Sequence, residues 1–121
     1  MQNVIVTGGC GYIGTELVQE LNDDYSVTVI DKRTPEKPIK GVRYIAETLG
    51  SSTCNDTMLY GYMENADAVF HLAAEPRIQA TIDKPSTAFY SNCLATQHVL
   101  DAVRHLQTPR LIFSSTSSVY G

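Results

Sequence analysis

The chain of 121 residues lacks the long apolar run of a membrane-spanning helix and the basic run of a nucleic-acid-binding protein. No apolar segment approaches the roughly 18 residues that a spanning helix needs, so we expect no membrane partner. The formal net charge of −4 disfavours binding to nucleic acid or to an acidic membrane surface, because like charges repel. The length and an ordinary 43% hydrophobic content predict one globular domain over residues 1–121.

Cysteine is scarce as well. Cys10, Cys54 and Cys93 are odd in number and show no metal-ligand spacing, so neither a disulfide framework nor a metal site is expected. We interpret all three as reduced thiols. The N-terminus enters an apolar strand without the pattern of a signal peptide, and this favours a cytoplasmic location.

A glycine-rich segment follows the first apolar run. Residues 3–14 read Asn-Val-Ile-Val-Thr-Gly-Gly-Cys-Gly-Tyr-Ile-Gly, which predicts a strand, a tight loop and the start of a helix. Gly8 would let the chain turn, Gly11 would admit a phosphate close to the backbone, and Gly14 would let the helix pack on the sheet. Free N–H groups and the helix dipole favour an anion here, so the segment predicts a dinucleotide pyrophosphate site.

A second apolar strand ends at Asp31, 17 residues after Gly14. A carboxylate there would accept hydrogen bonds from the adenosine ribose hydroxyls, and it would repel the 2′-phosphate of NADP. The sequence therefore predicts NAD, a preference that Lys32 and Arg33 weaken by their positive charge. The alternative is a structural strand–turn–helix with an incidental aspartate.

Strands and helices alternate along the rest of the chain. We predict strands near 3–7, 26–30, 42–45, 68–72 and 111–113 and helices near 12–21, 56–63 and 86–106. Asp56 and Ser86 are the expected N-caps of the last two helices. The broad inner face predicted for the long helix carries seven residues: Phe89, Cys93, Leu94, Val99, Leu100, Val103 and Leu106.

This alternation predicts an α/β fold, a Rossmann-type doubly wound parallel sheet of about five strands in the order 3-2-1-4-5. The cofactor would lie where that order reverses, beyond the carboxyl ends of the first and fourth strands. His71 ends the fourth strand, and we interpret it as a packed, hydrogen-bonded residue rather than a proton carrier.

Four segments resemble those of a known family. They are Thr7-Gly-Gly-Cys-Gly-Tyr-Ile-Gly14, Asp67-Ala-Val-Phe-His-Leu-Ala-Ala74, Asn92-Cys-Leu-Ala-Thr-Gln-His-Val-Leu100 and Phe113-Ser-Ser-Thr-Ser-Ser-Val-Tyr-Gly121. In this order and spacing they resemble the N-terminal part of the extended short-chain dehydrogenase/reductase family. Within it they are similar to the NAD-dependent sugar-nucleotide epimerases and dehydratases, and most similar to the UDP-glucose 4-epimerases.

The resemblance implies a site for NAD and roles for particular residues. Around the pyrophosphate it places Gly8, Gly11, Tyr12, Ile13 and Gly14. Asp31 would hold the ribose, and Leu72, Ala73 and Ala74 would pass under the cofactor. Asn92 would support the site, and Ser114 and Ser115 would line the nicotinamide end. Thr116 would be catalytic and would form a hydrogen bond to the reacting sugar hydroxyl. The substrate would be a UDP- or dTDP-sugar that is oxidised and reduced at C4. Taken alone, Asn92 also fits a polar helix position and Thr116 an ordinary loop hydroxyl.

Two departures from the family pattern affect the expected activity. The Tyr-x-x-x-Lys pair that supplies the acid/base in the family does not follow Thr116. Where the family carries an acid facing the adenine, just after the third strand, residues 47–54 offer only Glu47. We therefore expect a truncated domain that lacks the C-terminal substrate domain and is inactive alone. We also expect it to self-associate or to bind a complementing chain, and to act on a nucleotide sugar only when complemented. The alternatives are a non-catalytic nucleotide-binding module and a truncated remnant. Ser117-Ser118 after Thr116 favours epimerase over dehydratase.

Overall fold

The computed structural model describes residues 1–120 and contains one parallel sheet. Its strands lie in the order β3-β2-β1-β4-β5, which confirms the predicted Rossmann-type fold class. The strands are β1 (Asn3–Thr7), β2 (Ser26–Asp31), β3 (Arg43–Ala46), β4 (Ala68–His71) and β5 (Arg110–Phe113). Gly121, the last residue of the fourth motif, lies outside the described residues.

Helical segments connect the strands. They are α1 (Tyr12–Asn22), α2 (Asp56–Met63), α3 (Ile78–Asp83), α4 (Pro85–Phe89), a π-helical turn (Tyr90–Leu94), α5 (Ala95–Leu106) and a final 3₁₀ turn (Ser117–Tyr120). None of the helices described over residues 1–120 combines the length and the apolar character that crossing a membrane would require.

Two apolar cores lie on opposite faces of the sheet, because side chains alternate along each strand. On β1, Val4 and Val6 join the core with Val18 of α1, whereas Ile5 faces the core that contains Leu59 of α2 and Val99 of α5. Burial on both faces explains why the three central residues of β1 are all apolar. Each such side chain contributes roughly 1.5–3 kcal/mol when fully buried.

The strand register brings the site residues together. Thr7 at the end of β1 lies opposite Ile30 of β2 on one side and His71 of β4 on the other. The chain leaves β1 toward α1 on one face of the sheet, while β4 leads to helices on the other. A cleft therefore opens between the two connections, at the point where the strand order reverses.

One predicted helix cap is displaced by a residue. Asn55, rather than Asp56, is the N-cap of α2, and its side-chain Oδ1 accepts a hydrogen bond from Met58 N at 2.9 Å. Asp56 is the first helical residue, where a carboxylate still interacts favourably with the helix dipole.

The predicted long helix is present in altered form. Pro85 is its first residue, and Lys84, not Ser86, is the N-cap, with no side-chain capping bond. The π turn after Phe89 inserts a wider turn, and this shifts the angular phase of the residues on either side. The predicted inner face is accordingly wrong for three residues that are exposed: Phe89, Cys93 and Leu100. The buried stripe of α5 is instead Ala95, Val99 and Ala102.

Candidate functional site

A cleft of about 390 Å³ lies beyond the carboxyl ends of the central strands. Its volume falls in the range of roughly 300–1,000 Å³ that is usual for small-molecule sites. All predicted cofactor-binding residues line it except Asn92 and Ser115, and the predicted catalytic residue Thr116 also lies outside the lining.

The glycine loop forms one wall of the cleft. Gly8 has a positive φ of 70°, a conformation that favours glycine. A Cβ at Gly8 would stand 2.7 Å from the backbone nitrogen of Ala73, so the loop lies directly on the chain that leaves β4. The loop closes with Gly11 N donating to Gly8 O at 3.1 Å.

The N-terminus of α1 opens into the same cleft. Gly11 is the N-cap and provides no side chain, and the first helical bond runs from Thr15 N to Gly11 O at 3.0 Å. The amides of Tyr12, Ile13 and Gly14 precede that bond, so the helix itself supplies them with no acceptor. The first turn carries no acidic residue to neutralise the dipole. This end of α1 is therefore suited to an anion.

The loop and the first turn of α1 approach each other closely at two glycines. A Cβ at Gly11 would lie 3.3 Å from Gly8 O, and one at Gly14 would overlap Gly8 O and stand 2.7 Å from the Cα of Gly9. The helix thus packs against the loop with no room for a side chain at Gly14. Ile13 is 64% exposed, and the apolar face of α1 begins one turn later with Leu17 and Val18.

Asp31 closes the far side of the loop. Its carboxylate is 7% exposed and accepts hydrogen bonds from Cys10 N at 3.0 Å and from Arg33 N at 2.9 Å. The Arg33 Nε lies 3.8 Å away from it. Each carboxylate oxygen accepts one backbone N–H, and each keeps a lone pair for a further donor. Asp31 can therefore bind hydroxyl groups in the cleft without losing these contacts.

Cys10 is half-buried in the same loop, and its Sγ donates to Arg33 O at 3.4 Å. Burial raises the pKa of this thiol, and the nearby Asp31 carboxylate raises it further. The thiol therefore stays protonated at neutral pH, which is contrary to a nucleophilic role. Cys54 and Cys93 are free as well.

The segment after β3 contributes residues that the sequence left without a role. Glu47, Thr48 and Leu49 all line the cleft. The Tyr62 hydroxyl donates to Glu47 Oε1 at 2.8 Å, and this bond raises the pKa of Tyr62. Parallel pairing with β2 brings Glu47 to the cleft. Glu47 N donates to Asp31 O at 3.0 Å, and this bond extends the β2–β3 ladder by one residue.

Asn92 acts behind the cleft. Its Oδ1 accepts from Glu75 N at 2.7 Å, and its Nδ2 donates to Glu75 O at 3.3 Å. The Glu75 carboxylate accepts from the Arg77 side chain at 2.9 and 3.2 Å, and these bonds lower the pKa of Glu75 to about 2. Asn92 therefore fixes the backbone next to Ala74 and does not itself face the cleft.

The serine-rich segment after β5 is exposed. Ser114 lines the cleft, and its N–H donates to His71 O at 3.5 Å. Thr116 Oγ1 accepts from Ser118 N at 3.2 Å, which leaves the hydroxyl proton of Thr116 free to donate. Tyr120, at the end of the 3₁₀ turn, is 90% exposed.

Comparison of the sequence with known proteins gives a consistent result. It is 31% identical to the UDP-glucose 4-epimerase of Mycoplasma genitalium, over 98% of this chain and 37% of the relative. It is also 31% identical to the dTDP-glucose 4,6-dehydratase of Mycobacterium tuberculosis, over 98% of this chain and 37% of that enzyme. The chain thus spans little more than a third of the length of these relatives.

Solved structures share the fold. MoeE5 in complex with UDP-glucose and NAD superposes with a TM-score of 0.85 at 35% identity, over 98% of this chain and 38% of that one. The UDP-N-acetylglucosamine 4-epimerase of Methanobrevibacter ruminantium M1 gives a TM-score of 0.86 at 32% identity, over 99% and 39%. A family model described as "NAD dependent epimerase/dehydratase family" matches residues 4–121. This chain belongs to the NAD-dependent epimerase/dehydratase family.

Proposed function

We propose that residues 1–121 are a single NAD-binding domain of a nucleotide-sugar epimerase or dehydratase. The observation that carries this proposal is the uncapped N-terminus of α1, which opens into the same cleft as the Asp31 carboxylate. A dinucleotide presents a diphosphate and a ribose diol, and these two features match the two groups. MoeE5, a similar structure, is a complex with NAD and UDP-glucose.

The residues present fit NAD by a steric criterion. A Cβ at Gly8 or Gly14 would stand within 3.0 Å of backbone atoms, and one at Gly11 would lie 3.3 Å from Gly8 O, so the absence of side chains at these residues keeps the cradle open. In the proposed complex, the amides of Tyr12 and Ile13 bind the pyrophosphate. These contacts lie at a helix N-terminus, where an anion is stabilised electrostatically.

Asp31 would set the cofactor preference. Its carboxylate would accept the adenosine ribose hydroxyls and repel a 2′-phosphate, which favours NAD over NADP. Lys32 and Arg33 also line the cleft and reduce that repulsion. Leu72, Ala73 and Ala74 would lie under the cofactor, where the small alanine side chains leave room for it.

The proposed chemistry is oxidation and reduction at C4 of a UDP- or dTDP-sugar, for which NAD supplies the hydride acceptor when bound. On the protein side, Ser114 and Ser115 would lie near the nicotinamide end. Thr116 would donate its free hydroxyl proton to the reacting sugar hydroxyl. Ser117 after Thr116 favours an epimerase within the family.

We propose further that these 121 residues by themselves bind NAD without turning over a sugar, since they contain no Tyr-x-x-x-Lys pair. On β5, Ile112 and Phe113 are 40% and 57% exposed, and β5 pairs only with β4 among the described strands. An apolar strand at a sheet edge favours pairing with another chain. We therefore propose self-association or a complementing polypeptide, in the cytoplasm, where the free thiols stay reduced.

Calorimetric titration of NAD into the chain tests the binding proposal. Gly11→Ala should fold, since its Cβ meets only Gly8 O at 3.3 Å and the exposed Arg33 guanidinium at 3.8 Å. The added Cβ should narrow the space for the pyrophosphate and lower NAD affinity. Asp31→Asn removes a charged acceptor worth about 1.5–3 kcal/mol, so NAD affinity should fall roughly 10–150-fold. Gly61→Ala is the matched control, because nothing lies within 4 Å of a Cβ there.

Wild-type protein that takes up no NAD would refute the proposal and leave a remnant of the family fold. If NAD binds, Asp31→Asn should also narrow the preference for NAD over NADP. A monodisperse monomer in light scattering at high concentration would contradict the association proposal. Turnover of a UDP-sugar by the pure chain would overturn the proposed inactivity. Turnover that appears only after a candidate C-terminal half is added would identify the chain as part of an enzyme rather than a binding module.

A further inference from the structure

A buried hydrogen-bond chain passes through His71, below the cleft. The Thr7 side chain, which is fully buried, accepts hydrogen bonds from Leu72 N at 3.1 Å and from Ala73 N at 3.2 Å. The same hydroxyl lies 2.7 Å from His71 Nδ1. On the other side of the ring, His71 Nε2 lies 2.8 Å from the Thr96 hydroxyl.

The direction of every bond in this chain follows from its ends. Backbone N–H groups only donate, so the Thr7 oxygen accepts from Leu72 and Ala73, and its own proton is left to donate to His71 Nδ1. At the other end, the Thr96 hydroxyl donates to the carbonyl oxygen of Asn92 at 2.7 Å. The Thr96 oxygen therefore accepts from His71 Nε2.

We propose that His71 is a positioning residue, held as the neutral tautomer with its proton on Nε2, and that this tautomer fixes the Leu72–Ala73 backbone that lines the cleft. The opposite tautomer would place two donors face to face at Nδ1. A doubly protonated ring would do the same. Only the Nε2–H form lets each group in the chain make its bond.

The surroundings of the ring support a neutral form. His71 is 3% exposed, and the Phe113 ring of β5 stacks on it at a centroid distance of 6.0 Å. Burial lowers the pKa of His71. The side chains that hydrogen-bond to it or stack on it are Thr7 from β1, Thr96 from α5 and Phe113 from β5, and none of these three titrates.

The fixed backbone lies at a critical place in the cleft. Gly8 packs on Ala73 so closely that a Cβ would stand 2.7 Å from its nitrogen. At its other end the segment is tied at Glu75 by the two bonds to the Asn92 side chain. The effect of His71 on cofactor affinity rests on the proposed function, whereas its tautomer does not.

Nitrogen NMR of the full chain labelled at histidine tests the tautomer directly, without cofactor. At pH 7 we expect the His71 Nδ1 resonance of an unprotonated nitrogen and the Nε2 resonance of a protonated one. An imidazolium signal, or a proton on Nδ1, would overturn the inference. If instead the tautomer is as expected and wild-type protein takes up no NAD, the proposed function fails while the tautomer stands.

Matched variants test the positioning role. Thr7→Ser keeps the hydroxyl, and NAD affinity and the histidine spectrum should stay close to wild type. Thr7→Val leaves Ala73 N–H without an acceptor, while Leu72 N–H keeps the Thr7 backbone carbonyl at 3.1 Å, so NAD affinity should fall about tenfold. The His71 Nδ1 resonance should shift, because Nδ1 loses the hydrogen bond from the Thr7 hydroxyl. Thr108→Val is the control for this substitution, because the buried Thr108 hydroxyl has no partner among the described residues.

Equal NAD affinity and equal spectra in Thr7→Val and Thr7→Ser would overturn the positioning role. If Thr7→Val fails to fold, Thr96→Val tests the same inference. It removes the acceptor of Nε2–H at a half-buried position. It leaves in place the bonds that the Thr7 hydroxyl accepts from Leu72 N and Ala73 N. In Thr96→Val the second neutral tautomer of His71 should become populated and NAD binding should weaken. In Thr96→Ser the tautomer and the NAD affinity should stay as in wild type. Wild-type behaviour in Thr96→Val would refute the inference.

Discussion

Replacing Gly14 by alanine probes the close packing of α1 on the glycine loop. In a helix, alanine is favoured over glycine by about 1 kcal/mol. At Gly14, however, the added Cβ would overlap Gly8 O and lie 2.7 Å from the Cα and 3.0 Å from the carbonyl carbon of Gly9. All three are backbone atoms, so no side-chain rotation relieves the overlap, and the helix itself must move.

The magnitude follows from these two opposing effects. Overpacking of a tight site costs about 1–3 kcal/mol, and contact with backbone alone argues for the upper value. Subtracting the propensity gain of about 1 kcal/mol leaves Gly14→Ala about 2 kcal/mol less stable than wild type. Gly61→Ala in α2 meets nothing within 4 Å and should be about 1 kcal/mol more stable. The two variants should therefore differ by about 3 kcal/mol, or roughly 10 °C in Tm.

Urea unfolding followed by circular dichroism measures this difference, and equal m-values would show that the change lies in stability. NAD affinity of Gly14→Ala should fall as well, because a displaced helix moves its N-terminal amides away from the loop. If Gly14→Ala were as stable as Gly61→Ala, the close contact between helix and loop would be wrong, and with it the steric argument for the cradle.

Three further predictions concern single groups. Burial lowers the pKa of His71 in the folded state, so the unfolded chain binds a proton more readily. The free energy of unfolding should therefore decrease as pH falls below about 6.5, by up to ~1.4 kcal/mol per pH unit. An identical pH slope in His71→Asn would contradict this. Asn55→Ala removes the cap on Met58 N and should cost about 1 kcal/mol in urea unfolding, with no loss meaning that the cap does not form. The Glu75 carboxyl should titrate with a pKa of about 2 in carbon NMR and return toward its ordinary value in Arg77→Ala, and an ordinary value in wild type would exclude the ion pair.

Part of the site was readable from local spacing. The distance from Gly8 to Gly14 covers one loop and one helical turn, and the position of Asp31 depends only on its place at the end of the second strand. Because parallel strands end at one edge of a sheet, Asp31 had to lie near the glycine loop once the fold class was known. The strand order was predicted from the alternation of strands and helices, because parallel strands are joined by right-handed crossovers.

Other features arise from contacts between distant segments. The π turn at 90–94 packs around Gly50, whose φ is +80° and whose Cβ would stand 3.0 Å from Ala95 N, and no local periodicity predicts such a turn. The inward-facing residues of the long helix were misplaced for this reason. Glu47 likewise gains its place in the cleft by pairing with β2, which its own neighbours in sequence do not indicate.

The amino-acid sequence by itself determined the sheet, the strand order and the glycine cradle, because these depend on residue type and on spacing within about thirty residues. Tertiary structure decided the state of His71. A histidine at the end of a strand can carry its proton on either nitrogen. One nitrogen is selected by Thr7 from a neighbouring strand and by Thr96 from a helix, 25 residues after His71, because each threonine is itself held by its own partners.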